Sequence, residues 1–272
     1  MITYDNSLCD KCGVCLITCH EHCIKLTESG ISIDHEICST CTHCIAVCHK
    51  QAISWNNIPP KKIERELLPT SQQLREFLQS RRSDFHFKDI SIDRSLLKEI
   101  AVMGKYSPTN NYEMDVVIVD DRKVIDQLEG LCMRKVRMID NFLFRFKAMS
   151  WLVKLFDPAY KKDEAKVKAS RTHPRMFSGA TALMIVVGDS RVMYTDLSAQ
   201  YFIYTMQLYA KSLGIGSRPS GGGKWFLAKN AAARKLLRIP SNKSIQAILF
   251  LGYPSIEYCN SAQGLEPGIW FA

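Results

Sequence analysis

The sequence predicts an α+β protein in which a small cysteine-rich domain precedes a larger domain of helices packed on a sheet. Three observations support this prediction. Eight of the eleven cysteines form two runs near the N-terminus, two prolines interrupt the chain at residues 59–60, and the rest alternates short apolar runs with helical patterns. Such alternation is typical of a layered domain. We therefore place the domains at residues 1–58 and 59–272.

The two cysteine runs are near copies of each other, offset by 29 residues. The first is Cys9-x-x-Cys12-x-x-Cys15-x-x-x-Cys19, and the second has the same spacing at Cys38, Cys41, Cys44 and Cys48. Other residues recur at this offset, because Ile2, Asp5, His20 and Ile24 return as Ile31, Asp34, His49 and Ile53. The copying indicates a duplicated half-domain.

The spacing within each run predicts iron–sulfur chemistry. A cubane cluster needs four thiolates, and three on one tight loop plus a fourth from elsewhere meet that need. In two-cluster bacterial ferredoxins, which this segment resembles, the fourth cysteine of each run ligates the other cluster. We predict one [4Fe-4S] cluster on Cys9, Cys12, Cys15 and Cys48, and a second on Cys38, Cys41, Cys44 and Cys19.

Zinc knuckles and disulfides are the alternative interpretations of these cysteines. Tetrahedral zinc takes four ligands and is usually bound by Cys-x-x-Cys pairs. Here an evenly spaced run of four cysteines occurs twice, which fits zinc poorly. The chain opens without a charged-then-apolar leader, and we expect a reducing cytoplasm rather than disulfides.

His20 and His49 replace the proline that usually follows the fourth cysteine, so we expect altered cluster surroundings. Cys23, Cys132 and Cys259 are interpreted as packing residues.

The net charge of +9 is unevenly distributed. Residues 1–58 carry a balance of −3, whereas residues 131–175 alone carry +8. No recognised nucleic-acid motif accompanies this basic segment, so we expect no nucleic-acid partner. No apolar stretch reaches the roughly 18–20 residues of a membrane-spanning helix, so we also expect no membrane span.

Hydrophobic periodicity predicts the elements of the second domain. Four segments have helical patterns, at residues 71–80, 95–103, 131–156 and 196–213, and the last is apolar enough to be a buried central helix. Three continuous apolar runs predict buried strands, at residues 116–119, 183–188 and 245–252.

Three polar tracts of the second domain have residue types suited to a flavin. Arg81, Arg82 and Ser83 offer two guanidinium forks and a hydroxyl for a phosphate. Residues 106–111 form a polar turn, and residues 213–223 form a glycine-rich loop whose backbone can approach a flat ring closely. A flavin is the natural acceptor for iron–sulfur clusters, because it takes electrons singly and passes hydride in pairs.

Together and in this order, the tracts resemble the FMN-dependent nitroreductase family, and the whole chain resembles fused ferredoxin–nitroreductase proteins of anaerobes. The resemblance implies a nitroreductase-like α+β domain and a homodimer that binds FMN between its subunits. It implies that Arg81, Arg82 and Ser83 hold the ribityl phosphate end. It also implies that Pro108, Thr109, Asn110 and Asn111 reach the flavin from the other subunit, and that Pro219, Ser220, Gly221 and Gly222 lie against the redox-active edge of the ring.

The chain departs from the family pattern at three places. Phe85 stands where a further basic residue usually follows the serine, and Tyr112 and Met114 occupy the places of an expected Asn-x-Gln. Residues 264–268 replace the family's C-terminal basic residues. These departures concern FMN affinity and orientation.

The resemblance implies an oxidoreductase that passes electrons from the clusters to FMN and on to a small electrophilic substrate, nitroaromatic or quinone-like. An external protein is a possible electron donor. We name no catalytic side chain, because the flavin itself carries the hydride chemistry. Two alternatives stay open: an electron-transfer or redox-sensing protein that docks a partner without turnover, and reductive dehalogenation on the same fold.

Overall fold

The structure, a computed structural model, describes residues 1–109, 114–144, 165, 176–262 and 267–271. The chain divides into two compact units, one based on Met1–Leu74 and the other on Arg75–Pro108 and Glu113–Ala272. The domain boundary near residue 58 stays a prediction. In the described part of the chain, we find no helix with the length and apolar character needed to cross a membrane.

The first unit repeats one strand–helix–strand pattern. The first copy consists of β1 (Ile2–Tyr4), α1 (Val14–Thr18) and β2 (Ile24–Thr27). The second copy consists of β3 (Gly30–Ile33), α2 (His43–Val47) and β4 (Ile53–Trp55). The two helices therefore start 29 residues apart, which is the offset between the two cysteine runs.

The two copies pair with each other rather than within themselves. β1 pairs antiparallel with β4, and β2 pairs antiparallel with β3. The small core contains the duplicated isoleucines Ile2, Ile24, Ile31 and Ile53 together with buried cysteine side chains. Because this unit has few apolar residues, the buried cysteines form part of its hydrophobic core and contribute to its stability.

A four-stranded antiparallel sheet organises the second unit. Its strands are β5 (Asp115–Val119), β6 (Ala182–Gly188), β7 (Gly216–Pro219) and β8 (Ser244–Gly252), in the order β5-β6-β8-β7. The central strands β6 and β8 are buried on both faces. This burial explains why they are continuous apolar runs rather than alternating ones.

Helices cover both faces of this sheet. They are α4 (Arg94–Met103), α5 (Arg122–Ile139), α6 (Thr195–Ser212), α7 (Gly221–Leu227) and α8 (Ala231–Leu236), whereas α3 (Ser71–Gln79) precedes them and buries none of its residues. Side chains of β6 alternate between the layers: Ile185 joins the core under α5 and α7, whereas Met184 joins the core under α4 and α6. The sheet therefore separates two apolar cores.

The predicted strands and most of the predicted helices are confirmed within one or two residues. The helix predicted at residues 131–156 begins earlier, at Arg122, because Asp121 caps it by accepting from the Lys123 amide. Its regular part ends at Ile139, a π-helical turn follows over Asp140–Phe144, and residues 145–156 lie outside the described residues.

Two further expectations are corrected. The predicted glycine-rich loop contains β7 and the first turn of α7, because hydrogen bonds to β8 hold this tract extended despite its glycines. The helix predicted to be buried all round, α6, buries one side only. Its other side exposes Leu197, Tyr201 and Tyr204.

A backbone clamp joins the tract around Arg81 to β7. The Asp84 amide donates to the Ser217 carbonyl, and the Ser217 amide donates to Asp84 Oδ2 at 2.9 Å. Gly216 lacks a side chain at the contact, where a Cβ would lie 2.9 Å from Asp84 Cγ. These two hydrogen bonds therefore fix the position of the Arg81–Arg82 segment next to β7.

We predict opposite effects of alanine at two glycines. A Cβ at Gly104 would lie 2.1 Å from Cε1 of Phe202 in α6, so Gly104→Ala should destabilise the protein by about 1–3 kcal/mol. A Cβ at Gly130 in α5 meets no described atom within 4 Å, so Gly130→Ala should stabilise by about 0.5–1 kcal/mol. Urea unfolding followed by tryptophan fluorescence measures both changes, and a Gly104→Ala protein as stable as the wild type would contradict the close contact.

We also predict a pH-dependent effect of Asp84→Asn. Burial raises the pKa of Asp84, against the hydrogen bond from Ser217 and the charges of Lys211 and Arg81. The folded state therefore holds this proton more tightly than the unfolded state. The resulting stability is present below the unfolded pKa, about 4, and is lost as pH rises through the raised folded pKa.

Asp84→Asn lacks that loss, so its urea midpoint relative to wild type should rise with pH above about pH 4. Asp189→Asn is the control. The Asp189 pKa is lowered to about 2, first by the Arg191 side chain, so its contribution stays constant above about pH 5. A flat Asp84→Asn difference over the same range would show that burial does not raise this pKa.

Candidate functional site

Eight cysteines of the first unit lie in two separate cages. The first cage is lined by Cys9, Cys12, Cys15 and Cys48. The second cage is lined by Cys38, Cys41, Cys44 and Cys19. Each cage takes three cysteines from one run and the fourth from the other run, which is the grouping expected if the fourth cysteines cross over. That these residues ligate iron stays a prediction.

The backbone of the cages adopts the left-handed conformation at matching positions of the two copies. Lys11 and Thr40 have φ values of 61° and 55°, and Gly13 and Thr42 have values of 75° and 63°. Alternation of left- and right-handed residues turns successive amides inward, and such concave nests bind phosphates and iron–sulfur clusters. The repeated strain at non-glycine residues therefore fits a cage built around an anionic group.

The thiols within a cage lie close enough to affect one another. Burial, followed by the neighbouring thiols of Cys12, Cys48 and Cys9, raises the pKa of Cys15. Burial raises the pKa of Cys44 to about 12. Binding of a metal must displace these protons, because only the thiolate is a ligand.

Cys23 is packed in the core of the first unit, as the sequence predicts, and it also lies beside a cage. It lines the second cage, its Sγ is 3.4 Å from Cys19 Sγ, and it is only 3% exposed. The packing role holds for Cys132, which is fully buried in the core under α5. Cys259 is exposed and therefore packs against no core.

A cavity of about 240 Å³, lined by three cationic and two acidic side chains among others, lies in the second unit. It is lined by Ser80, Arg81, Arg82, Asp84, Lys211, Gly214, Ile215, Gly216, Ser217, Pro254, Ile256, Glu257 and Tyr258. Two predicted residues, Arg81 and Arg82, thus meet the tract that leads into β7. Ser83 is not among the lining residues, and its carbonyl accepts from the Tyr258 hydroxyl at 3.4 Å.

Lys211 is a lining residue that the sequence analysis missed. It lies in the last turn of α6, two residues before the Leu213–Gly214 end of the helix. A lysine in that turn is commonly interpreted as a partner of the helix dipole. Its position directly before the glycine-rich tract was the available signal.

The other predicted flavin residues lie outside this cavity lining. Ser220 caps α7 by accepting from the Gly223 amide at 3.0 Å, while Gly221 and Gly222 are exposed on its first turn. Pro219 ends β7. The Thr109 hydroxyl is buried and has no hydrogen-bond partner among the described residues, and Pro108 is exposed.

Asn110, Asn111 and Tyr112 lie outside the described residues, as does most of the basic segment beyond residue 144. Met114, the other residue of the expected Asn-x-Gln positions, packs against the core under α4 and α6.

Phe85 stands at one of the departures from the family pattern. The side chain of Arg218 packs against its ring. The guanidinium of Arg218 lies 4.7 Å from the Phe85 centroid and 4.8 Å from that of Phe250. Arg218 Nη2 donates to the Met176 carbonyl at 2.8 Å and to Ser178 Oγ at 3.1 Å. Burial lowers the pKa of Arg218. A basic group is therefore present beside position 85, supplied from β7.

Solved structures share the fold of the second unit. A nitroreductase with bound FMN from Desulfitobacterium hafniense DCB-2 has a TM-score of 0.53 at 18% identity, over 72% of this chain and 97% of that chain. A nitroreductase with bound FMN from Bacteroides fragilis NCTC 9343 has a TM-score of 0.52 at 18% identity, over 73% and 99%.

Oxidized iodotyrosine deiodinase bound to FMN and 3-iodo-L-tyrosine has a TM-score of 0.53 at 19% identity, over 73% of this chain and 98% of that chain. A comparison with curated proteins found no match.

A family model supports the same assignment from sequence. The model described as Nitroreductase family matches residues 78–253, which is more than half of the chain and includes every strand of the four-stranded sheet. The chain therefore belongs to the nitroreductase family.

Proposed function

We propose that this protein is an FMN-dependent oxidoreductase in which two [4Fe-4S] clusters supply electrons for the reduction of a small electrophilic molecule. The observation that carries the proposal is the presence, in one chain, of two cages lined by the cysteines of the two runs and a nitroreductase-family domain whose cavity is lined by Arg81, Arg82 and Lys211. Iron–sulfur clusters held in such cages would transfer single electrons and carry out no bond chemistry themselves. The second unit therefore carries the substrate chemistry.

The cavity at Arg81 and Arg82 suits the phosphate end of FMN. Lys211 adds a third cation to the lining, in place of the C-terminal basic residues that the family carries. Guanidinium forks match phosphate oxygens in geometry and charge. The volume of about 240 Å³ is below the roughly 300–1,000 Å³ of sites that enclose a whole organic ligand. We therefore assign only the phosphate and ribityl chain to it.

We assign the flavin ring to the junction of β7 and α7. A Cβ at Gly221 would meet no described atom within 4 Å, and one at Gly222 would meet only a Met176 methyl at 3.4 Å. A flat ring can therefore approach this backbone closely. Pro219 and Ser220 flank the same tract.

FMN, when bound, supplies one-electron exchange with the clusters and two-electron transfer to the substrate. For a nitroarene the balanced reaction takes two electrons and two protons, giving a nitroso group and one water. For a quinone the same two electrons and two protons give the hydroquinone. The protein's own groups bind the phosphate, orient the ring and exclude water.

We further propose a homodimer. α6 exposes Leu197, Tyr201 and Tyr204 at 48%, 45% and 43%, spaced so that they share one side of the helix. Such a stripe is what a second subunit would cover, and a second subunit would bring the tract from Pro108 to Asn111 toward the flavin. Sedimentation equilibrium should give twice the chain mass of 30.9 kDa, and a monomer at micromolar concentration would contradict the dimer.

Anaerobic purification tests the proposed function. We expect about eight irons per chain, stoichiometric FMN, and repeated turnover of a nitroarene or quinone with a low-potential donor such as reduced ferredoxin. A preparation with full clusters that takes no FMN on reconstitution would overturn the flavin assignment. Oxidation that stops after the stored electrons are spent would instead indicate an electron-transfer protein.

We predict that Arg81→Met and Lys211→Met each weaken FMN binding. Loss of a charge-assisted contact costs about 1.5–3 kcal/mol, or roughly ten- to a hundredfold in Kd. Lys88→Met is the matched control, because Lys88 is exposed and outside the cavity lining. Fluorescence quenching of added FMN measures the three Kd values, and equal Kd values would exclude this cavity as the phosphate site.

We predict that iron removal unfolds the first unit alone. Its core includes the cysteines themselves, whereas β6 and β8 are covered by helices on both faces. After anaerobic chelation, hydrogen exchange should become fast over residues 1–56 and stay slow over β6 and β8. Retained protection in residues 1–56 would show that folding does not depend on the metal.

A further inference from the structure

The internal duplication makes the two cages comparable residue by residue. Their cysteines and backbone conformations match, and His20 and His49 recur beside both cages. Several residues around the thiolates differ between the cages, and three of these differences concern side-chain hydrogen-bond donors. The first cage has Asp10, Val14 and Ala52 where the second has Ser39, His43 and Cys23. Each of these three differences places a side-chain donor at the second cage only.

Cys23 is the most buried of these donors. Its Sγ is 3.4 Å from that of Cys19, the fourth cysteine of the second cage. When Cys19 is a ligand it carries no proton, so the S–H of Cys23 is the donor in this contact. Ala52, the matching residue, lines the first cage with a methyl group that donates nothing.

His43 and Ser39 add two further donors to the second cage. His43 Nδ1 is 3.2 Å from Cys41 Sγ. The Ser39 hydroxyl is buried, lines the same cage and has no partner among the described residues. At the matching positions, Val14 has no donor and Asp10 has a carboxylate, which is paired with His49 at 2.9 Å.

Charges at the rims act in the opposite direction but more weakly. Lys11 and Lys50 line the first cage and Glu21 lines the second. All three side chains are exposed, so water and salt screen them. Lys11 Nζ also donates to the Glu28 carbonyl. The contact between Cys23 and Cys19 is buried and is not screened in this way, whereas the exposed His43 acts through its direct contact with Cys41 Sγ.

We propose that the second cage holds its cluster at a higher reduction potential than the first cage, with Cys23 and His43 as the positioning residues that set the difference. Hydrogen bonds to ligand sulfurs stabilise the extra negative charge of a reduced cluster. An electron shared by the two clusters then rests on the one ligated by Cys38, Cys41, Cys44 and Cys19. This inference rests on the proposed cluster function.

Potentiometric EPR titration of the full-length holoprotein tests the proposal. We expect two distinct one-electron midpoints. Cys23→Ala and His43→Val, which install the residues of the first cage, should each lower the upper midpoint and leave the lower one in place. The expected change is roughly three- to tenfold in the reduced-to-oxidised ratio at fixed potential, equivalent to about 30–60 mV for a one-electron couple.

Ala52→Cys is the reciprocal variant and should raise the lower midpoint. Cys23→Ser, which keeps a donor, should retain the upper midpoint. Iron content of each variant is measured alongside, so that loss of a cluster is distinguished from a shift in potential. If Cys23→Ala loses iron, His43→Val and Ala52→Cys decide the question.

Two coincident midpoints in the wild type, or midpoints that no variant moves, would overturn the proposal while the proposed function stands. A wild-type preparation without two [4Fe-4S] signals would overturn the proposed function itself.

Discussion

The pairing of β7 with β8 is the interaction on which the cavity of the second unit depends. β8 is buried on both faces and fixed by β6, so it cannot shift without opening both cores. β7 takes its position from β8, and the tract at Asp84 takes its position from β7. Arg81 and Arg82, which lie about 130 residues earlier in the chain, are thereby held beside the C-terminal end of α6. The cavity that Arg81, Arg82 and Lys211 line thus depends on one edge strand.

The first unit depends on a different constraint, the pairing of each half with the other. Because β1 lies on β4 and β2 lies on β3, the fourth cysteine of each run lies in the opposite cage. The same duplication that builds two equal cages also allows them to diverge, since a change in one half alters one cage. Equal geometry with unequal donors is the result.

Much of this arrangement could be predicted from the sequence, and the exceptions have physical causes. The cysteine spacing predicts the cages because loop and ligand lie close together in sequence, and the apolar run of β6 predicts a strand because both faces are buried. Lys211 had only its position before the glycine-rich tract as a signal, since Arg81 and Arg82 lie about 130 residues away in the sequence. β7 was not predicted, because it lies in a glycine-rich tract and only its pairing with β8 holds it extended. The position of Cys23 beside a cage could have been suspected from the sequence, because the other half of the duplication has Ala52 at the matching position.

With the proposed clusters in the cages, the left-handed residues would link the lifetime of the chain to iron supply. Lys11, His22, Thr40, Thr42 and Gln51 all have positive φ without being glycine, and each such residue costs on the order of 1 kcal/mol. In a cell short of iron, newly made chains would have nothing to offset this strain, and their N-terminal units would stay open to proteases. The abundance of the protein would then follow the availability of its metal, without any dedicated regulator.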